Sequence, residues 1–173
     1  KNNTDEGRDL DADFFEIQFA YNVADYVFSP FFKGKFNPLN KCEKKLLDEV
    51  SKIKNRKFYV ISTSNGFSPE TSINHEIAHG LYYLVPDYKK EIDDFLFSLP
   101  SEDLNLMQET IKGHQFYAHD KITDETQAYL IDGYPFLINR YDEMKNRKKY
   151  AIEINEIFSK YSKNIKGVQE IHL

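Results

Sequence analysis

From Ser68 onward the chain is cut into helix-sized lengths by residues that start or stop helices. Ser68 followed by Pro69 is a capping residue and a first helical proline, Pro86 closes that length, and Gly113 and Gly133 end two later ones. Such punctuation predicts a helix over about 69–85. Two more follow as "PDYKKEIDDFLFSL" and "SEDLNLMQETIKG", and a fourth as "TDETQAYLIDG" at 123–133. The tail, "PFLINRYDEMKNRKKYAIEINEIFSKYSK", reads as one long helix or two shorter ones.

Before Ser68 the pattern changes. "KFYVIST", 57–63, is rich in β-branched and aromatic residues and predicts a strand. "FFEIQFAYN" alternates, with Phe15, Ile17, Phe19 and Tyr21 on one side, which suggests a half-buried strand. A helical stripe through Phe15, Phe19, Asn22 and Tyr26 fits almost as well. "NKCEKKLLDEVSKIK" predicts a helix capped by Asn40, with Leu46, Leu47, Val50 and Ile53 as its apolar stripe. "SPFFKGKFNPLN", broken by Pro30, Gly34 and Pro38, predicts a loop, and the polar residues 1–12 a flexible arm. No repeat or second boundary interrupts residues 13–173. The expected fold class is therefore α+β: a predominantly helical single domain with a small N-terminal sheet preceding the helix at 69–85.

Composition excludes several classes. The 173 residues are 40% hydrophobic and 29% charged, in keeping with a globular domain that buries one core. A net charge of −5 without a sustained basic stripe argues against nucleic acid as a partner. No apolar run is long enough for a membrane span. Cys42 is the only cysteine, so no internal disulfide forms, which leans towards an intracellular site of action. Lys41 and Glu43 beside it fit a solvated helix start better than a nucleophile's setting. The chain opens at Lys1 without a signal-peptide pattern. Substrate identity, oligomeric state and cellular address are not written in it.

The chemistry concentrates in "ETSINHEIAHGLYYL", 70–84. His75 and His79, four apart, project from one helix face and offer two corners of a zinc tetrahedron. Glu76 borders that face, where a carboxylate takes a proton from the attacking water without ligating the metal. Ile73, Ile77, Leu81 and Leu84 make a second face expected to be buried. The plainer alternative is a core helix whose histidines are satisfied by hydrogen bonds.

A strand followed by a helix bearing "HEIAH" resembles the zincin superfamily of metallopeptidases. The metzincin branch of that superfamily needs a glycine and a third histidine shortly after the motif, where this chain has Tyr82 and Val85. The inverted H-x-x-E-H order is absent too. What remains resembles the gluzincin arrangement, in which a glutamate on a later helix completes the site. Glu125 is the choice, because "DETQAYL" is similar to the E-x-x-A pattern of third-ligand helices and Ala128 lets that helix pack closely. His114, His119, Asp120 and Asp124 stay open as alternatives. Glu125 and Asp124 also suit a helix's first turn, and Asp124 with Gln127 resembles a capping box.

Zinc-bound histidines need an oxygen on their other ring nitrogen, and Asp124 and Tyr129 are candidates. An oxyanion donor is also required; His114 and Tyr134 are chosen over Tyr117 and His119. The resemblance implies a Zn2+-dependent peptidase acting on a peptide or protein substrate, held by strand pairing near 57–63. The alternatives are a non-catalytic or regulatory metal-binding module, or a host-directed protease effector.

Overall fold

The structure, a computed structural model, describes residues 20–63, 70–113, 121–134, 137, 142–163 and 165. Among them run β1 (Ala20–Ala24), α1 (Ser29–Phe32), α2 (Lys41–Ser51), β2 (Tyr59–Thr63), α3 (Glu70–Leu84), α4 (Pro86–Ser98), α5 (Ser101–Lys112), α6 (Ile122–Asp132) and α7 (Lys148–Ser162). Short 3-10 segments occupy Asp25–Phe28 and Asp142–Arg147. The class is α+β and mostly helical, with its small sheet before α3, as expected. The arm at 1–12 and the alternating residues up to Phe19 lie outside the described residues.

Local chemistry explains several helix ends. At α2 the Asn40 side chain accepts from the Glu43 amide at 2.9 Å, and the Glu43 carboxylate accepts from the Asn40 amide at 2.7 Å. Pro86 stands in the first turn of α4, where its missing N–H costs nothing. Glu102 and Asp103 open α5 and Lys112 closes it, matching the helix dipole. Two expectations need correction. The stretch from Ser29 is not all loop: Pro30 starts the single turn α1. Asp124 does not cap α6, which begins after Lys121 without a side-chain cap. Among the described residues of the tail, the 3-10 segment at 142–147 is followed by α7.

β1 and β2 pair antiparallel, with Asn22 opposite Ile61, Val23 opposite Val60 and Ala24 opposite Tyr59. Alternation sends Val23 and Val60 to one face, where they pack with Phe28, Phe58, Leu46, Leu47 and Val50 of α2, and Ile53 just beyond it. Asn22, Tyr59 and Ile61 share the other face, against α3. On its far side α3 meets α6. The main core joins Ala78 and Leu81 of α3 to Tyr88, Ile92 and Leu96 of α4, Met107 and Ile111 of α5, Ala128 and Leu130 of α6, and Ile154 and Phe158 of α7.

This sandwich alters the expected faces of α3. Leu81 is buried and Ile77 packs on the core, but Leu84, at the helix end, is 36% exposed. Glu76, His79 and Gly80 are buried instead, because sheet and α6 together cover the polar side. Burying two ionisable groups there is costly unless each has a partner.

Candidate metal centre

His75 and His79 stand one turn apart on α3, and Glu125 reaches them from the first turn of α6. One ligand atom from each lies within 4.8 Å of the other two. The two Nε2 atoms are 3.2 Å apart, and Glu125 Oε2 is 3.6 Å from that of His79 and 3.9 Å from that of His75.

The opposite ring nitrogens decide what those Nε2 atoms offer. His79 Nδ1 lies 2.8 Å from Asp124 Oδ1, and a carboxylate accepts, so the proton sits on Nδ1. A ring N–H of His75 donates to the Ala128 carbonyl; with Nε2 turned to His79, that donor is Nδ1. When both rings are neutral, each turns a lone pair inward. Two lone pairs at 3.2 Å repel unless a cation or proton sits between them.

The donor set fits a tetrahedral divalent ion. Two nitrogens about 2.0–2.1 Å from one zinc stand about 3.3 Å apart. The nitrogen pair matches, and the two carboxylate edges are slightly longer. The His75 and Glu125 side chains keep 19% and 14% exposure, against 5% for His79, so solvent reaches the group from one side only.

The protonation preferences of the two rings differ. Burial, then the neighbouring His79, pushes the His75 imidazolium down to about 3, while its bond to Ala128 works against the fall. His75 is therefore neutral near pH 7, and its approach to Glu125 is no ion pair. For His79 burial also works downward, but the Asp124 hydrogen bond and the carboxylates of Asp124, Glu125 and Glu76 raise its pKa above the ordinary value.

Supporting side chains surround the group. Tyr88 of α4 donates to Gln127 Oε1 at 2.8 Å, and Gln127 Nε2 donates to Asp124 Oδ1 at 3.2 Å, so two further groups hold the carboxylate that holds His79. The Tyr129 ring meets His75 edge-on at 5.0 Å between centroids. Gly133 makes room for that ring: a Cβ there would lie 2.6 Å from Tyr129 Cδ1. Across α3, Asn22 Nδ2 donates to Glu76 Oε2, and the Tyr59 hydroxyl donates to Asn22 Oδ1. Burial, then the charges of Asp124, Glu76 and Glu125, raises the Tyr59 pKa and keeps its hydroxyl protonated.

The structure thus brings together His75, His79, Glu125 and Asp124, with Glu76 on the same helix. His114, Tyr117, His119 and Asp120 lie outside the described residues. Tyr134 is buried, and its hydroxyl donates to the Met144 carbonyl. That bond uses its one proton, so service as an oxyanion donor would require leaving it. Tyr134 also lines a surface groove of about 930 Å3 between α6 and α7, with Leu130, Ile152 and Lys148, and none of the three candidate ligands borders that groove.

Asn22, Tyr59, Tyr88 and Gln127 have no part in the site expected from the sequence. For Asn22 one signal existed: asparagine is disfavoured inside a strand. Compared with known proteins, the chain matches no protein-family model, no curated protein and no solved structure.

Proposed function

We propose that this chain is a zinc-dependent hydrolase, and within that class a zincin-like peptidase. His75, His79 and Glu125 hold the metal, and Glu76 is the general base. The observation that carries the reading is the pair of inward-facing Nε2 atoms, 3.2 Å apart, closed by the Glu125 carboxylate. Without a metal, a protonated His79 bridges the same gap by donating from Nε2 to His75; the Glu125 carboxylate on the third side is what favours a metal ion.

Zinc at such a site acts as a Lewis acid towards a carbonyl and lowers the pKa of water. The chain's own residues do the rest. Asp124 and the Ala128 carbonyl keep both imidazoles in the ligating tautomer. Glu76 takes the proton of the attacking water and returns it to the leaving amine. Among the described residues β2 pairs only with β1, which leaves its other edge for an extended peptide.

The test has two arms. Elemental analysis should find about one zinc per chain in the wild type and little in His75→Ala. On a peptide library, Glu76→Gln should keep its zinc and lose roughly 100-fold or more in cleavage. A wild type without stoichiometric zinc removes the metal reading. A Glu76→Gln variant as fast as wild type removes the general base.

A further inference from the structure

We propose that Asn22 is a positioning residue for Glu76: from β1 it fixes the carboxylate through its amide, and the Tyr59 hydroxyl in turn fixes Asn22. The inference rests on the hydrolase reading of the same site, and it adds a part of the machinery contributed by the sheet.

The sheet register makes the arrangement possible. Asn22 pairs with Ile61, and Tyr59 lies two residues further along β2 on the same face. Diagonal neighbours of this kind are within reach of long side chains. That face packs on α3, where Glu76 and Gly80 stand one turn apart. Gly80 leaves the space that the Tyr59 ring fills: a Cβ there would come within 3.2 Å of Tyr59 Cδ1. Residues 22, 59, 76 and 80 therefore form one interlocked unit.

The hydrogen bonds admit a single polarity. The Glu76 carboxylate only accepts, so Asn22 must turn Nδ2 towards it. Its Oδ1 then faces the Tyr59 hydroxyl, which is held protonated and donates. Reversing the amide would set two oxygens against each other at Glu76 and spoil both bonds. Asn22 occupies Oε2 and leaves Oε1 for the proton that Glu76 receives. A freely rotating carboxylate would spend part of its time with neither oxygen aligned, and small misplacements of a catalytic group are costly.

The test uses Asn22→Asp and Asn22→Ala in the full chain. Asn22→Asp keeps the shape and the acceptor for Tyr59 but cannot donate to Glu76. Zinc content should match wild type in both. On a peptide that the wild type cleaves, kcat should fall roughly 10- to 100-fold while KM stays within about twofold. In the Glu76→Gln background the same changes should cause no further loss, because the group they position has gone. Independently of turnover, the Asn22 side-chain amide protons should exchange slowly with solvent in wild type and quickly in Glu76→Ala, read by NMR.

An unchanged kcat in Asn22→Asp overturns the proposal, and so does an equal loss with and without Glu76→Gln. Fast exchange of the amide in wild type overturns it as well. These results differ from failure of the hydrolase reading, which shows as a Glu76→Gln variant as active as wild type or a wild type that cleaves nothing. That failure removes the catalytic purpose of Asn22 too.

Discussion

His79 divides its work between two nitrogens, and its environment serves each. Nδ1–H donates a hydrogen bond to Asp124, and Nε2 faces His75 and Glu125. Asp124 itself is held by Gln127, and Gln127 by Tyr88. Asp124→Asn keeps an acceptor oxygen but removes the charge that makes the imidazole a better ligand. Zinc affinity should fall about 10- to 100-fold, measured by competition with a chromogenic chelator. An unchanged affinity would deny Asp124 that role. At this scale the sequence was legible where spacing carried meaning: His75 and His79 share a helical face, and Glu76 borders it, by periodicity alone. Resemblance to the E-x-x-A pattern favours Glu125 over Asp124; the acidic first turn alone does not show which of them faces the histidine pair. Both begin on one turn, and only the rotation of α6 against α3 separates their directions.

Elements matter here through how closely they approach. α3 and α6 meet at Ala128, which is fully buried and whose carbonyl holds His75. Ala128→Leu should force the two helices apart, lower stability by about 1–3 kcal/mol and weaken zinc binding with it. Paired denaturant and metal titrations would check this, and unchanged metal affinity would show that the spacing is not critical. A second junction ties α5 to the start of α7. Asp103 accepts from the Tyr150 hydroxyl at 2.5 Å and from Arg147 Nη2 at 2.8 Å. The Tyr150 bond above all, then Arg147, holds the Asp103 pKa below the ordinary carboxylate value. Its contribution is therefore complete above the unfolded-state pKa and lost as pH falls through the folded one. Asp103→Asn should cost about 1 kcal/mol near pH 7, a modest figure because the site is partly exposed. The gap to wild type should narrow as pH falls below the ordinary carboxylate range, followed by urea denaturation; a constant gap would mean that charge has no part in the junction.

Across the whole molecule the candidate centre joins parts that are distant in sequence: β1 and β2 on one side of α3, and α6 on the other. A ligand that binds only this assembled state stabilises all of it. Zinc at 100 times its dissociation constant should add about 2.7 kcal/mol, raising Tm by roughly 5–10 °C for a chain of this size. Calorimetry with zinc and with chelator tests it, and His75→Ala should abolish the difference. If the variant shifts as much as wild type, the stabilising metal sits elsewhere. By itself the sequence determined the α+β class, the helix limits at Pro86, Gly113 and Gly133, and the histidine pair, because each follows from short-range rules of capping, φ restriction and periodicity. It did not determine that Leu84 would be exposed while Glu76 and Gly80 were buried, since burial depends on what covers a helix face. Nor did it determine the Tyr59–Asn22–Glu76 or Tyr88–Gln127–Asp124 chains, whose members lie 37 to 54 residues apart at most links. Strand register and helix packing bring those side chains within hydrogen-bonding distance, and both are properties of the folded chain rather than of any local stretch.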